Sequence, residues 1–233
     1  MYQALVFLLL ISTSLLTKAK PIVIAISDFP PSIDLSDENY GIHGELILGA
    51  LRDAGQPFEI KIYSWTKIKQ MLDTQDICSF GWVKNQERQK RWQYSRPYHA
   101  DISYLWGRKD NPIKLNSVED ALRYSIGVTR GFSYGQEFDD LLTRASVDES
   151  FDDTVNLRKL LAGRIDLFPG QALIIRPILA SRFTDQADQL EPKIVINNLS
   201  HHFVCNIDSQ LGKEVIQKIN PLLPNVEEIE IKP

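Results

Sequence analysis

The sequence predicts an α/β protein of two lobes, each a mixed β-sheet flanked by helices, with two hinge strands between them. Three observations lead to this fold class. Short β-branched segments alternate with helical ones, the alternation restarts near the middle of the chain, and no linker rich in glycine or serine interrupts it. A chain of 233 residues suffices for one large domain or two small ones.

The first lobe is predicted from an alternation of strands and helices. Its strands are short and apolar, its helices carry apolar residues at helical spacing, and glycine or proline ends several elements. The five elements, starting with a strand, are predicted at residues 22–26, 41–54, 58–63, 65–72 and 76–82. Strands that are joined through helices lie parallel with right-handed connections, so we expect a parallel sheet here.

The second lobe is predicted where the pattern restarts. A capping sequence at residues 116–120 indicates a helix start. The elements that follow are a strand at 124–129, a helix at 134–144, a helix from Asp152 or Asp153 to Gly163, and a strand at 165–168.

Two connecting strands are expected between the lobes, near residues 107–111 and 193–198. The first lobe is then predicted to comprise residues 20–108 and 197–233, and the second residues 109–196. Open α/β sheets bind ligands at the carboxyl ends of their strands, so the loops there are the places to look for a site.

The first 19 residues differ from the rest of the chain. Residues 4–16 are apolar apart from serine and threonine, and Thr17-Lys18-Ala19 is a tolerable cleavage site. A run of this length is short for a transmembrane helix and typical of a secretory signal peptide. Residues 1–19 are therefore predicted to be a signal peptide and the protein to be exported; the alternative is an uncleaved apolar anchor.

The charge balance argues against a nucleic-acid partner. The chain has 26 basic and 30 acidic residues and a formal charge of −4, whereas proteins that bind nucleic acids usually carry a basic face. Residues 81–98 do combine basic and aromatic side chains, which suits either phosphates and bases or an arginine that binds a small carboxylate. The overall acidity argues against phosphates and bases as the partner of this stretch.

Two cysteines, Cys78 and Cys205, lie in apolar stretches that are predicted to be buried strands. They lack the CxxC spacing of zinc or redox sites. In an oxidising compartment they could form a disulfide, and as buried free thiols they would fit the same stretches.

A GxSxG sequence at residues 131–135 falls between a predicted strand and a predicted helix, which is the context of a hydrolase nucleophile elbow. Asp166 and then His201 or His202 follow in the order acid, histidine. However, the helix after the elbow is polar where a hydrolase helix is buried, and no HGGG-like segment precedes it. We prefer a tight turn in which Ser133 caps the helix and free N–H groups bind an anion.

The histidines predict no metal site. His43 and His99 are isolated in the sequence, and His201 and His202 face opposite sides of a predicted strand, so these two cannot chelate one ion together. The sequence contains neither GxxxxGK[ST] nor GxGxxG, the glycine motifs of nucleotide sites. No catalytic residue, metal or cofactor is predicted.

The stretch ERQKRWQYSRPY, residues 87–98, is similar to the signature T-x-x-R…F-S-x-P-Y. Arg88 falls on the arginine, and the end of the signature falls on Ser95, Pro97 and Tyr98. Supporting similarities lie at residues 28–31, 131–133 and 163–166. On these residues the chain resembles the extracellular solute-binding proteins of family 3, the type II periplasmic amino-acid-binding fold, over nearly its whole length after the signal segment.

The resemblance implies a binding site. In this family the signature arginine binds the α-carboxylate of the ligand, which assigns that role to Arg88, an aromatic wall to Phe29 and a second-lobe contact to Ser133. The other basic residues of the stretch are then expected on a solvated helix. The full set of implied ligand-binding residues is Asp28, Phe29, Trp65, Gly81, Trp82, Val83, Arg88, Gly131, Phe132, Ser133 and Gln171.

Two departures from the family pattern concern the ligand. The family commonly has Ser or Thr contacts where this chain has Gly81 and Val83, and an acidic residue for the α-ammonium where this chain has Gln171. A neutral amide compensates poorly for the burial of an ammonium group. The expected ligand is small, polar and carboxylate-bearing, either an amino acid or an organic acid without an α-amine.

The resemblance also implies a function. The expected protein is periplasmic and monomeric, captures its ligand between the lobes, and delivers it to an ABC permease of the inner membrane without a cofactor. The alternative is a sensing module of the same fold that presents its ligand to a receptor. The serine hydrolase suggested by residues 131–135 ranks below both.

Overall fold

A computed structural model describes residues 19–226 of the chain. In chain order the strands and helices are β1 (Ile22–Ile26), α1 (Gly41–Asp53), β2 (Phe58–Ile62), α2 (Trp65–Thr74), β3 (Cys78–Val83), α3 (Gln86–Gln89), β4 (Trp92–Tyr94), β5 (His99–Arg108), β6 (Ser125–Thr129), α4 (Gln136–Leu142), β7 (Ser146–Ser150), α5 (Asp153–Leu161), β8 (Leu167–Gln171), α6 (Ala172–Arg182), β9 (Leu190–Asn206) and α7 (Gln210–Ile219). Short 3₁₀ helices lie at Val118–Arg123, Thr184–Gln189 and Asn220–Leu222. Apart from Ala19, the predicted signal peptide lies outside the described residues.

The nine strands within residues 19–226 form one mixed sheet, in the order β2-β1-β3-β9-β5-β8-β6-β7, with β4 also paired to β9. β2, β1 and β3 are parallel to one another, and so are β7, β6 and β8. β5 and β9 run antiparallel to each other and to their outer neighbours, so this long pair joins two parallel halves. The predicted α/β class with two halves and connecting strands is confirmed, as is the β-α-β-α-β order at the start.

Each half of the sheet has its own buried core. Along β1, Ile24 and Ile26 pack with residues of α1 and α7, while Ala25 packs with residues of α2 on the other face. The second half has two clusters as well, one involving α4 and one involving α5 and α6. Burial of one such isoleucine contributes about 1.5–3 kcal/mol, so each half is stabilised separately. Among the helices of residues 19–226, none is long and apolar enough to span a membrane.

The two cysteines form a disulfide. Cys78 of β3 and Cys205 of β9 are register partners on neighbouring antiparallel strands, with their Cα atoms 4.0 Å apart. The sequence left open whether they pair or remain thiols, and the structure decides for the pair. This disulfide fixes the first half of the sheet to the long strand β9.

Several boundaries differ from the sequence prediction, and the following ones lie at the connection between the halves or near the site. The first connecting strand is β5, which ends at Arg108 because a turn follows it, whereas the prediction placed the connection at residues 107–111. The strand expected at 165–168 is β8, displaced by two or three residues. The helix α4 begins at Gln136 rather than at 134, since Gly135 before it has a φ of 93°.

The basic stretch after β3 is not one solvated helix as expected. α3 is a single turn, capped by Asn85, whose Oδ1 accepts the Arg88 N–H at 2.9 Å. Two residues lie between α3 and β4, and the first residue of β4, Trp92, is buried. The indole N–H of Trp92 donates to the carboxylate of Asp73 at 2.8 Å. Arg91 pairs with the same carboxylate at 2.8 Å. The stretch is thus held against α2.

Candidate functional site

A cavity lies at the carboxyl ends of β3 and β6, between the two halves of the sheet. Its volume is about 510 Å³, including space open to solvent. Ten of the eleven residues that the sequence implied as ligand-binding line it, and the exception is Asp28. Tyr134, Leu199 and His201 also line the cavity, although the sequence did not indicate them.

Asp28 serves the turn after β1 instead. Its Oδ1 accepts the backbone N–H of Leu35 at 3.2 Å, and the residue lines a neighbouring groove. The structure therefore does not bring its carboxylate to the cavity with the other ten residues.

Arg88 is the cationic residue of the cavity, and it is only 4% exposed. Its Nη1 donates to the carbonyl oxygen of Val83 at 2.8 Å, and its Nη2 donates to that of Gly131 at 2.9 Å. The guanidinium also lies over the indole rings of Trp82 and Trp92, 5.0 and 5.5 Å from their centroids. Within residues 19–226, Arg88 forms no ion pair.

The groups in direct contact with the Arg88 guanidinium are thus carbonyl oxygens and indole rings, all of them neutral. Burial lowers the pKa of the guanidinium from its ordinary value, while Tyr94 and nearby carboxylates act in the opposite direction. A guanidinium nevertheless stays protonated in proteins, and it has five N–H donors. The two hydrogen bonds to carbonyl oxygens leave donors for an anionic group.

Across the cavity, three hydrogen bonds connect residues 85–88 of the first half with residues 131–136 of the second. The first is the bond from Arg88 to Gly131. In the second, Asn85 Nδ2 donates to Ser133 Oγ at 3.2 Å, and in the third the backbone N–H of Gln86 donates to Gln136 Oε1 at 2.8 Å. The turn that starts α3 therefore contacts the turn that starts α4. The sequence did not indicate Asn85 or Gln136 as contacts between the halves.

Aromatic rings from both halves form the walls of the cavity. Phe29 and Phe132 face each other edge to face with centroids 5.5 Å apart. Trp65 contacts both of them, at 6.3 and 6.4 Å, and reaches Trp82 at 5.0 Å. Such edge-to-face pairs are favourable and make the walls largely apolar.

Gly81 forms the floor of the cavity, and Tyr98, at the end of the signature, holds its backbone in place. The hydroxyl of Tyr98 accepts the Gly81 N–H at 2.9 Å, and Gly81 has a φ of 84°, which favours glycine. A Cβ at Gly81 would also lie 3.1 Å from the side chain of Ile33. Gly81 is thus required by the backbone, which gives a structural reason for the absence of a Ser or Thr there.

Ser133 does not have the partners of a hydrolase nucleophile. Its hydroxyl donates to Asp139 and accepts from Asn85, and no histidine bonds to it within the described residues. Asp166 bonds instead to the hydroxyl of Ser125 at 2.8 Å. Burial raises the pKa of Asp139, and the hydrogen bonds from Ser133 and the Tyr134 N–H partly offset that effect. The Ser-acid-His arrangement that the sequence suggested is not assembled.

Three histidines that are far apart in the sequence, His43, His99 and His201, lie close together below the cavity floor. The ring of His43 lies 4.7 Å from that of His201 and 5.1 Å from that of His99, measured between centroids. His201 Nε2 lies 3.1 Å from Gln171 Nε2, which links the group to the cavity. His202 faces the other side of β9, with Nδ1 2.8 Å from the Ser95 carbonyl oxygen. Opposite orientation on the strand was predicted, but the grouping was not.

Comparison with protein-family models and with curated proteins finds no match. Solved structures do match over most of the chain. A histidine kinase sensor domain with similarity to periplasmic binding proteins has 17% sequence identity and a TM-score of 0.72, and the match covers 88% of this chain and 90% of that one. The fold is that of the periplasmic binding proteins.

Two further structures of this kind are similar. The arginine-, lysine-, histidine-binding protein ArtJ from Geobacillus stearothermophilus has 19% identity and a TM-score of 0.68, over 87% of this chain and 89% of that one. The GluR0 ligand-binding core from Nostoc punctiforme, in complex with (L)-glutamate, has 16% identity and the same TM-score, over 87% and 92%. At these identities the likeness establishes the two-lobed fold, and the ligand has to be inferred from the site.

Proposed function

We propose that this protein is a periplasmic solute-binding protein that captures a small carboxylate ligand between its lobes. One observation carries the proposal: Arg88 is buried at the cavity, and no carboxylate of the described chain pairs with it. A buried charge without a counter-charge is unfavourable. A ligand carboxylate can supply that counter-charge through two parallel N–H···O bonds, a geometry that guanidinium favours.

Arg88 also couples binding to closure. The three hydrogen bonds across the cavity exist only when the two halves are close together. The ligand enters when these bonds open, and closure then adds the contacts of both halves and excludes water. We propose the lobe boundaries predicted from the sequence for this movement, residues 20–108 with 197–233 against residues 109–196.

The residues around Arg88 in the cavity indicate which class of ligand binds. Gln171 contacts His201 and brings no negative charge for an ammonium group. The walls are aromatic, with Phe29, Trp65 and Phe132 as their main rings. We therefore expect organic acid anions with an apolar part to bind at least as well as α-amino acids.

Two partners fit such a binding protein. The first is an ABC permease of the inner membrane, to which a monomeric protein, exported through residues 1–19, would deliver its ligand. The second is a receptor, because a histidine kinase sensor domain is among the similar structures. In both cases the partner would recognise the closed form of the protein, which has ligand bound.

A thermal-shift screen of the mature chain tests the proposal. The arms are organic acids, α-amino acids, and amines that match the amino acids but lack a carboxylate. A ligand at 100 times its Kd should add about 2.7 kcal/mol to the free energy of unfolding. We expect stabilisation only in the two carboxylate arms. Stabilisation by the amines alone, or by no compound, would overturn the proposal.

A further inference from the structure

Three side chains with metal-ligating atoms converge beneath the cavity floor. They are His43 of α1 and His99 and Asp101 of β5, which we call the His-Asp cluster. One ligand atom from each lies within 4.8 Å of the others. His99 Nε2 and Asp101 Oδ2 are 3.2 Å apart.

Four polar atoms of the His-Asp cluster have no hydrogen-bond partner among the described residues. Both ring nitrogens of His43 are buried and unpartnered, as are Nε2 of His99 and Oδ2 of Asp101. Every neutral imidazole has one donor and one acceptor, and leaving a buried polar group unpaired costs about 1–3 kcal/mol. Four such atoms at one place point to a group that binds them together.

The spacing of the His-Asp cluster fits a metal ion. A zinc ion bound at about 2.0–2.1 Å by nitrogen and oxygen in tetrahedral geometry holds its ligand atoms about 3.3 Å apart. The observed 3.2 Å between His99 and Asp101 agrees with this value, and the ligand atoms of all three side chains lie within 4.8 Å of one another. Without a metal ion, the two histidines could form hydrogen bonds to the carboxylate of Asp101. The orientation of the three side chains forms no such bond.

We propose that His43, His99 and Asp101 form a binding site for a divalent transition-metal ion, with Zn²⁺ as the ion that suits two imidazoles and a carboxylate. The side chains of His99 and Asp101 are 23% and 13% exposed, whereas their ligand atoms Nε2 and Oδ2 are buried. None of the three proposed ligands lines the cavity of Arg88.

His201 lies beside the His-Asp cluster but is not part of the proposed ligand set. Its Nε2 lies 3.1 Å from Gln171 Nε2 and 3.8 Å from Asp101 Oδ2, and its Nδ1 lies 3.4 Å from the Gly81 carbonyl oxygen. Both ring nitrogens thus have neighbours in the protein, unlike those of His43. An ion at the proposed site would join α1 to β5, the strand that pairs with β9 between the two halves.

The test is a zinc titration of the full mature chain, without a histidine tag and after treatment with a chelator. Binding is measured by competition with a chromogenic chelator, and the bound metal is counted by elemental analysis after desalting. We expect one Zn²⁺ per chain. Asp101→Asn, which keeps the shape of the side chain, and His99→Gln should each weaken binding by at least about tenfold, since even the loss of a partner around a metal ligand typically costs about 10- to 100-fold.

His202→Gln is the matched control, since His202 lies on the other face of β9 and bonds to Ser95. It should bind Zn²⁺ like the wild type. Circular dichroism of every variant shows whether it is folded. Less than one Zn²⁺ per chain in the wild type, or unchanged affinity in a folded Asp101→Asn variant, would overturn the proposal.

Discussion

Replacing Arg88 with alanine is the most informative single change at the cavity. It removes the two hydrogen bonds to the carbonyl oxygens of Val83 and Gly131 and the cation over two indole rings. Hydrogen bonds from charged groups contribute about 1.5–3 kcal/mol each, so the closed form loses at most about 3–6 kcal/mol, less the gain from no longer burying a cation. A ligand carboxylate also loses its partner, which costs about 2–5 kcal/mol, or about 30- to 5,000-fold in affinity.

The assay is isothermal titration calorimetry of the strongest ligand from the screen, at a temperature where every variant is folded. Arg88→Lys keeps the charge but lacks the planar fork of donors. We therefore expect its ligand affinity to lie between those of the wild type and Arg88→Ala. Lys90→Ala is the control, because Lys90 is exposed at the end of α3. If Arg88→Ala binds within twofold of wild type, the role assigned to this arginine is wrong.

Three further predictions concern stability and chemistry. Cys78 and Cys205 are 127 residues apart, so replacing both with alanine should lower the free energy of unfolding by about 5 kcal/mol in urea denaturation, and an unchanged midpoint would contradict this. Burial raises the pKa of Asp153 to about 6, above its value in the unfolded chain, so its stabilising effect is complete below pH ~4 and is lost as the pH rises through about 6. Asp153→Asn should therefore stabilise the protein on the order of 3 kcal/mol at pH 7.5 and hardly at pH 4, and equal effects at both pH values would refute this cause. A serine-directed covalent probe should leave Ser133 unlabelled in mass spectrometry, whereas stoichiometric labelling that disappears in Ser133→Ala would restore the hydrolase interpretation.

The elements with strong local patterns could be predicted from the sequence. The β-branched run at Ile22–Ile26 forms β1, and the apolar spacing before Gly55 gives α1, because the signal in both lies within a few residues. The loops at the strand ends could be placed too, since parallel strands present their carboxyl ends at one edge. Most of the residues around the cavity follow from that rule together with the family signature.

Other features depend on contacts between distant segments and have no local signal. The His-Asp cluster needs α1 to place His43 beside β5, and the sequence shows only isolated histidines. The start of α4 depends on the carboxylate of Asp139, whose Oδ1 accepts the Tyr134 N–H at 2.8 Å. The partners of Arg88 lie five residues before it and in the other half of the sheet, so its position could be predicted but its hydrogen bonds could not.

The most direct test of carboxylate capture is a crystal structure of the protein with the strongest ligand from the screen. We expect the ligand in the cavity between the halves, with its carboxylate oxygens about 2.7–2.9 Å from the guanidinium nitrogens of Arg88. Phe29 and Phe132 should cover the ligand from opposite sides. A ligand bound outside this cavity, or one whose carboxylate contacts other residues while Arg88 keeps only its carbonyl partners, would contradict the account.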